Sequence, residues 1–416
     1  MGANAHRALF SSSDHDTYLR GLTVDADEKA ALQNARDEIR DEIRSGLRDW
    51  SDHVDRVQLF EVRALASIPS ADTDVALRPK FRMQGSWSYH TLNCATHNPP
   101  QEIDLDDGVF LPVSFLGQNG TTHPVVASAG YFTAIERILA PLCERKGWTL
   151  ISDKPSCVRV AINADAHVDL ALYAIPDDEF EVLLEKAVAS MQFDTRMLDE
   201  NYSFAEQVYP RLPTDQIMLA HRNEGWKPSD PRKLEDWFQD AIKEHGQQLR
   251  RVCRYLKGWR DHNWTACRLS SIALMACVVT AYDEATAGIA ENRDDLALQM
   301  VARRLPELLE RRIPNPVVDG QYLDEGWSSE CRSDFIAQAR NLAARVDNAL
   351  AANRSGTVIE HLRAALGNYL PENEDLVVIE TSIGAPAILQ SGILKDFADQ
   401  PDAREAVKKG GDGRYG

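Results

Sequence analysis

The sequence predicts an α+β protein in which a mixed sheet with helices is followed by a helical C-terminal lobe. Apolar and polar residues alternate at 103–113 and at 158–172, a pattern typical of strands. Apolar residues recur with helical spacing at 25–50 and again through most of the second half of the chain. We therefore expect a mixed core at 25–200 and a helical lobe at 201–400.

Both ends of the chain are expected to be flexible. Residues 1–24 are largely polar, and residues 401–416 finish in a stretch rich in glycine and lysine. Segments of this composition bury too little apolar surface to offset the entropy lost on ordering.

The first long helix is predicted between Asp25 and Trp50, with Asp25 or Asp27 as its N-cap. Acids and arginines occupy one face, and the other face is apolar, carrying Ala31, Ala35, Ile39, Ile43 and Leu47. A helix of this length is predicted to brace the two lobes.

The second half predicts a series of helices separated by turns. The turn Trp226-Lys227-Pro228-Ser229-Asp230-Pro231 leads into one long helix that ends near Trp259. Further helices are predicted at 269–285, 294–312, 333–352 and 357–370.

Composition excludes several classes of protein. The 416 residues carry a formal net charge of −18, which argues against a protein that grips long nucleic acid through a basic surface. Free nucleotides remain compatible with that charge, because metal ions and a few cations can neutralise a triphosphate. The seven cysteines form no CxxC pair, and no run reaches the length of a membrane span. We expect a reduced, cytoplasmic protein that requires no nucleic acid and binds no membrane.

A pair of carboxylates marks the predicted strand at 103–113. Asp104 and Asp106 alternate with Ile103 and Leu105, so both carboxylates project to one side and lie about 6–7 Å apart at the backbone. Two carboxylates so placed can hold a hard cation such as Mg²⁺. Asp169, on the polar face of the predicted hairpin at 158–172, is the best candidate for a third acid.

A Gly-Ser turn precedes the acidic strand by about 20 residues. Gly85 allows close approach of the backbone, and its amide and that of Ser86 can point at a phosphate. The Ser86 hydroxyl adds a hydrogen bond. Together with the carboxylates, this turn predicts nucleotidyl transfer, in which a hydroxyl attacks an α-phosphate with the help of metal ions.

Structural interpretations stand beside the functional ones. A lone Asp-x-Asp is most often a solvated face, and Asp107 is interpreted as a spectator. Arg159 shares the polar face of the hairpin with Asp169 and either pairs with it or contacts a triphosphate. Trp87 and Tyr89 either pack or contact substrate.

The combined motifs resemble a known family, the bacterial CD-NTases. The resemblance rests on Gln84-Gly85-Ser86-x-x-Tyr89-x-Thr91 and on Pro99-Pro100-Gln101-Glu102-Ile103-Asp104-Leu105-Asp106-Asp107-Gly108-Val109. It continues through His167-Val168-Asp169-Leu170 and Arg254-Tyr255-Leu256-Lys257, and spans about residues 25–370. The most similar clade contains the bacterial cyclic GMP-AMP synthases of anti-phage (CBASS) operons.

The resemblance implies a polymerase-β-like nucleotidyltransferase core and a role for each motif residue. It implies that two Mg²⁺ or Mn²⁺ ions are held by Asp104, Asp106 and Asp169. The Gln84-Gly85-Ser86 turn would bind the donor triphosphate, and Lys257 and Ser271 would close over it. The remaining implied substrate contacts are Tyr89, Arg159, Ser229 and Asp319, which approach a base or a phosphate.

The resemblance also implies a product and a partner. ATP and GTP would be joined into a cyclic dinucleotide, best interpreted as 3′,3′-cyclic GMP-AMP, in anti-phage signalling. An E1/E2-like ligase would act on the C-terminus at Gly416. A linear oligoadenylate or RNA-tailing nucleotidyltransferase is the alternative enzyme, and a non-catalytic nucleotide-binding protein is a third class.

Overall fold

A seven-stranded mixed sheet forms the first lobe, and helices form the second. The computed structural model of the protein describes residues 2–13, 15–47, 79–97, 100–112, 124–175, 217–229 and 231–380. The predicted boundary at 200–201, the tail at 401–416 and its Gly416 lie outside the described residues. Within them, the buried apolar residues form two large clusters, one per lobe.

The sheet brings together strands that are distant in sequence. Its strands are β2 (Lys80–Met83), β3 (Ile103–Pro112), β4 (Thr149–Ile151), β5 (Cys157–Ala161), β6 (Ala166–Ile175), β7 (Met218–His221) and β8 (Gly225–Pro228). Their order is β2-β3-β6-β5-β4, with β7 pairing with β6 and β8. The β3–β6 pair is parallel and the other pairs are antiparallel. The predicted hairpin is therefore present as β5–β6, and β6 lies beside the acidic strand.

Strand register fixes the position of the carboxylates. In the β3–β6 ladder Asp104 lies opposite His167, and Asp106 lies opposite Asp169. Leu105 and Val168, on the alternate positions, are fully buried. Because successive side chains of a strand point to opposite faces, the acidic residues share the face away from this core.

Helix α3 (Ala26–Gly46) packs its predicted apolar face on the sheet lobe. Asp25 is its N-cap and accepts a hydrogen bond from the Asp27 N–H at 2.7 Å. Ile39 and Ile43 are fully buried among the sheet residues. Arg40 donates two hydrogen bonds, of 2.6 and 2.5 Å, to the buried carboxylate of Asp107. Asp107 thus points to the face opposite Asp106 and ties α3 to β3.

The helical lobe contains the predicted helices with one difference. Its helices are α6 (Pro231–His245), α7 (Gln247–Asn263), α8 (Ser271–Asp283), α9 (Asp294–Glu310), α10 (Ser329–Ala351) and α11 (Ser355–Leu366); α5 (Pro124–Lys146) belongs to the sheet lobe. The single helix predicted up to Trp259 is divided into α6 and α7. The break falls at Gly246, whose φ of 86° is incompatible with a continuous helix.

The N-terminal residues differ from the flexible segment predicted at 1–24. β1 (Gly2–Asn4) pairs with β9 (Val378–Glu380), and the short helices α1 (His6–Leu9) and α2 (Tyr18–Gly21) follow it. Leu9 and Tyr18 are fully buried in the helical lobe. The Ala5 N–H also donates to Asp295 of α9 at 2.9 Å. A few buried side chains anchor a segment whose overall composition is polar.

Residues 89–97 and Gln101 form the seam between the lobes. Asn93 and Arg254 exchange hydrogen bonds of 2.9 Å through side chain and backbone. The Gln101 amide donates to two backbone carbonyls at the end of α7, those of Asp261 and Trp264.

Among the described residues, no helix has both the length and the apolar composition needed to cross a membrane.

Candidate active site

Gly85 is the point at which the turn meets the acidic strand. It opens the one-turn helix α4 (Gly85–Ser88), with a φ of 60°. The Gln84 N–H donates to the Asp106 carbonyl at 2.9 Å. A Cβ at position 85 would lie 1.9 Å from Asp106 Oδ2. Only glycine leaves room for the Asp106 carboxylate against the turn. The Gly-Ser turn and the acidic strand, predicted to lie near one another, are therefore in direct contact.

The two neighbours of Gly85 in the turn, Ser86 and Gln84, lie in different surroundings. Ser86 is half-buried at the start of α4, and its carbonyl accepts from the Thr91 N–H at 2.8 Å. The Gln84 side chain is buried and accepts from the Tyr173 hydroxyl at 3.1 Å. A Cβ at Gly108 would lie 2.1 Å from Gln84 Nε2, so this amide lies directly on β3. From this position the Gln84 side chain packs between the turn and β3.

Three carboxylates meet at the junction of β3 and β6. Asp104, Asp106 and Asp169 are close enough that each of the other two raises the pKa of Asp106, which burial raises first, to about 8. Asp169 is more buried than Asp104, whose side chain is 43% exposed. Concentrated negative charge of this kind is stabilised by a cation.

Arg159 pairs with Asp169, which is one of the two interpretations left open by the sequence. Its Nε and Nη2 donate to the two carboxylate oxygens, each at 2.7 Å. Burial alone would lower the pKa of Arg159, but the hydrogen-bonded Asp169 carboxylate raises it, so the guanidinium stays charged. This bidentate pair fixes the Asp169 carboxylate on the rim of the acidic cluster.

His167 is the one residue of the cluster to which the sequence pattern assigned no role. Its Nδ1 lies 2.6 Å from Glu102 Oε2, and its Nε2 lies 3.0 Å from Asp104 Oδ1 and 4.0 Å from Asp169 Oδ2. The sequence did contain a signal for His167, because it precedes Asp169 by two residues and therefore shares the same face of the strand.

Lys257 and Ser271 belong to α7 and α8, across the seam. Lys257 is 4% exposed, and its Nζ donates to the Thr91 carbonyl at 2.7 Å. Burial, followed by the nearby Arg260, lowers the pKa of Lys257 to about 8. Ser271 is the first residue of α8, and its hydroxyl accepts from Arg260 Nη1 at 3.0 Å. Arg260 therefore bonds Ser271 and lies near enough to Lys257 to disfavour its positive charge.

The three remaining predicted contacts lie in different surroundings. Tyr89 is buried and meets Phe238 edge to face, with ring centroids 5.9 Å apart, so it packs between the lobes. Ser229 follows β8, is half-buried, and donates its N–H to the Ile217 carbonyl at 3.1 Å. Asp319 is exposed in the turn that precedes Tyr322.

The residues of the cluster fit a divalent cation. Ligand atoms of Asp104, His167 and Asp169 lie within 4.8 Å of one another. Asp104 Oδ1 and His167 Nε2 are both buried and lie 3.0 Å apart as an ion pair. Clustered carboxylate oxygens of this kind suit Mg²⁺ and Mn²⁺.

Comparisons with known proteins identify the family. The model for the nucleotidyltransferase domain of DncV-like cyclic GMP-AMP synthases matches residues 79–173, and the model for the C-terminal domain of cyclic GMP-AMP synthase matches residues 246–380. A cyclic GMP-AMP synthase of Escherichia coli is 30% identical over 334 residues, 77% of this chain and 74% of that protein. The chain belongs to this family. The cyclic GMP-AMP synthase of Vibrio cholerae is 29% identical over 352 residues, 81% of this chain and 76% of its own length.

Solved structures of the family share the fold. The Vibrio cholerae DncV synthase bound to the linear intermediate 5′ pppA(3′,5′)pG gives a TM-score of 0.74 at 25% identity, covering 92% of this chain and 100% of that chain. The same enzyme in a complex with GTP gives the same TM-score, identity and coverage. The predicted fold class, an α+β protein with a mixed-sheet nucleotidyltransferase core and a helical C-terminal lobe, is confirmed, and the core is DncV-like.

Proposed function

We propose that this protein joins ATP and GTP into a cyclic dinucleotide, 3′,3′-cyclic GMP-AMP, and releases pyrophosphate. The observation that carries the proposal is the meeting of Asp104, Asp106 and Asp169 beside the Gly85 turn. The same fold is found in a cyclic GMP-AMP synthase solved with the linear intermediate pppA(3′,5′)pG.

Asp104, Asp106 and Asp169 would hold two Mg²⁺ or Mn²⁺ ions. When bound, such ions supply Lewis-acid stabilisation of the reacting phosphate and of the developing alkoxide. The raised pKa of Asp106 supports this assignment, because three adjacent carboxylates repel one another until cations compensate them. Arg159 holds Asp169 in place through its bidentate pair.

The turn and the seam provide the contacts to the triphosphate. The backbone of Gly85 approaches the site without a side chain, and Ser86 offers its amide and hydroxyl to the phosphates. Lys257 supplies positive charge from the opposite lobe, and Ser271, held by Arg260, offers its hydroxyl from the start of α8. A 3′-hydroxyl then attacks the α-phosphorus, the new P–O bond forms, and pyrophosphate departs as the hydroxyl proton is lost.

One acidic cluster among the described residues supports a single site that acts twice. The first step would give a linear pppNpN, which rebinds in the opposite sense before its own 3′-hydroxyl closes the ring. Each of the two steps breaks one α–β phosphoanhydride and releases one pyrophosphate. The linear intermediate held by the Vibrio cholerae relative supports this sequence.

A linear oligoadenylate or RNA-tailing activity is the competing enzyme function. A growing polymer needs a positively charged groove along its path. The formal net charge of −18 favours free nucleotides as the only substrates.

Anti-phage signalling in a CBASS operon and ligation of the C-terminus at Gly416 complete the proposal. Gly416 lies outside the described residues, so sequence alone supports this part.

Incubation with radiolabelled ATP and GTP plus Mg²⁺ or Mn²⁺, followed by phosphatase, tests the proposal. A phosphatase-resistant dinucleotide is expected, whereas a ladder of products would favour the polymer-forming alternative. Asp104→Asn combined with Asp106→Asn should abolish the product without unfolding the protein. Asp153→Asn, which changes an exposed aspartate of the same lobe, is the matched control. Activity that survives the double change would refute the metal assignment.

A further inference from the structure

The guanidinium of Arg254 lies one helical turn before Lys257 on the same face of α7. Its Nε donates to Asn93 Oδ1 at 2.9 Å, and its Nη2 donates to the Leu22 carbonyl at 3.2 Å and to Thr23 Oγ1 at 3.1 Å. All of these acceptors are neutral. Among the described residues, no carboxylate lies within ion-pair distance of Arg254 or of Lys257, although Lys257 is only 4% exposed. Burying cations without a counter-charge is costly, so this part of the seam is suited to an anionic ligand.

Arg254 joins three stretches of chain that are distant in sequence. Asn93 returns a hydrogen bond from its Nδ2 to the Arg254 carbonyl at 2.9 Å. The Leu22 carbonyl, which accepts from Arg254, also accepts from the Cys94 N–H at 3.0 Å. These hydrogen bonds form a closed set that holds the end of α2, the seam and α7 in one arrangement.

The part of the seam that Arg254 holds is the part that contacts Lys257. Two residues before Asn93, the Thr91 carbonyl accepts from Lys257 Nζ at 2.7 Å. The Thr91 N–H donates to the Ser86 carbonyl at 2.8 Å. A shift of Asn93 would therefore move Thr91, and with it the contacts of both the Lys257 ammonium and the Gly-Ser turn. Arg254 acts where the two halves of the triphosphate site are joined.

Arg254 also contributes positive charge at longer range. Burial is the largest cause of the low pKa of Lys257, about 8; Arg260 and Arg254 lower it as well, and Asp261 and Asp106 act in the opposite direction. Lys257 thus has an arginine one turn away on either side along α7. A bound triphosphate would offset the repulsion between these groups by bringing negative charge to Lys257.

We propose that Arg254 is a positioning residue for the donor triphosphate: by holding Asn93, it keeps the seam in place so that Lys257 faces the phosphates. The inference rests on the proposed nucleotidyltransferase function and adds to it a residue that acts through its neighbours. Arginine is needed here because its planar fork reaches Asn93 and the Leu22 carbonyl together, which the single ammonium of a lysine cannot do. The chain at the end of α2 thereby takes part in nucleotide binding.

Three variants separate the geometry of Arg254 from its charge. Arg254→Lys keeps the charge and loses the fork, Asn93→Ala removes an acceptor and leaves the charge intact, and Arg254→Gln loses both fork and charge. The measurement is the calorimetric affinity of the full-length protein for a non-hydrolysable GTP analogue with Mg²⁺, across the pH range in which Lys257 loses its charge. Each variant should raise the Kd about 10-fold, as expected when a charge-assisted hydrogen bond is lost. Only Arg254→Gln should move the fall in affinity to higher pH, because Lys257 keeps its proton longer without that neighbouring cation.

Turnover gives a second readout. The KM for GTP should rise about 10-fold while kcat stays within about threefold of the wild type, because the lost contacts hold bound nucleotide and not the reacting atoms. Arg250→Gln is the matched control. Arg250 lies one turn earlier on α7, and its Nη2 donates to Gln239 of α6 at 3.3 Å. The Kd, KM and pH profile of this control should equal those of the wild type.

Hydrogen–deuterium exchange of the wild-type protein tests the same coupling without any variant. The analogue should slow exchange in peptides that cover residues 17–23 and 89–97, because the Cys94 N–H and the Leu22 carbonyl belong to the hydrogen-bonded set that binding stabilises. Equal exchange with and without bound analogue would overturn the inference, as would affinities of Arg254→Lys and Asn93→Ala equal to that of the wild type. An unchanged pH profile in Arg254→Gln would likewise count against it. A wild-type protein with no affinity for the analogue would refute the proposed function itself, and this inference with it.

Discussion

Replacing Gly85 by alanine should disable the site through one contact. The added Cβ would lie 1.9 Å from Asp106 Oδ2, where ordinary structures keep Cβ at least 3.0 Å from other atoms. The Asp106 carboxylate must therefore retreat by about 1.1 Å, and a displacement of this size in a catalytic group can cost about 100-fold in rate. That loss corresponds to about 2.7 kcal/mol on the activation barrier. The left-handed φ of 60° adds about 1–2 kcal/mol of conformational strain.

The assay is kcat for cyclic product formation, measured with ATP, GTP and Mg²⁺ alongside thermal unfolding. Gly147→Ala is the matched control, because Gly147 has a φ of 71° but no atom of the described residues lies within 4 Å of the position that its Cβ would take. Both variants should lose similar stability from backbone strain, and only Gly85→Ala should lose about 100-fold in kcat. A kcat for Gly85→Ala within threefold of the control would refute the reasoning that this glycine exists to seat the Asp106 carboxylate.

Three further predictions concern other parts of the chain. Asp107→Leu removes the buried carboxylate that bonds Arg40 and should lower the free energy of unfolding in urea by about 3–5 kcal/mol, while adding Arg40→Met should recover most of it; equal values for the single and double variants would contradict this. Because the pKa of Lys257 is lowered to about 8, its positive charge is present below that pH and lost above it. Calorimetric affinity for a non-hydrolysable GTP analogue should therefore fall between pH 7 and 9, and a fall that persists in Lys257→Met would count against the assignment. Deleting Gly416 should block conjugation by the partner ligase, seen as loss of the slower-migrating band on gels, while synthesis of the dinucleotide continues; continued conjugation would exclude the terminal glycine.

Local periodicity was sufficient to predict the acidic strand and the hairpin. Alternation placed Asp104 and Asp106 on one face of β3 and Asp169 on the polar face of β6, and these predictions agree with the register of the sheet. What periodicity cannot predict is which strands become neighbours. The parallel strands β3 and β6 are separated in sequence by a whole helix, and only their pairing places His167 opposite Asp104. The contact between His167 and Asp104 is therefore visible only in the tertiary structure.

The anchored N-terminus shows a second limit of composition. Residues 2–22 are polar on average, but stability depends on the few side chains that are buried, among them Leu9 and Tyr18. Tyr18 also donates its hydroxyl to the Leu366 carbonyl at 3.1 Å, at the end of α11. Such long-range contacts leave no periodic trace in the sequence. Gly246 itself was a local signal for the break between α6 and α7. The strong helical periodicity on both sides of it outweighed that signal and predicted one continuous helix.

The two halves of the candidate site are joined by one short stretch of chain. Gly85 contacts the Asp106 carboxylate, and six residues later the Thr91 carbonyl accepts from Lys257. A displacement of α4 would therefore move the carboxylates and the cation of the opposite lobe together. The seam contacts at Thr91, Asn93 and Gln101 are hydrogen bonds, most of them to backbone carbonyls, whereas the two large apolar cores lie on either side of the seam. Polar contacts of this kind can be exchanged at low cost, which suits a site that must bind two triphosphates and then accept their linear product in a reversed orientation.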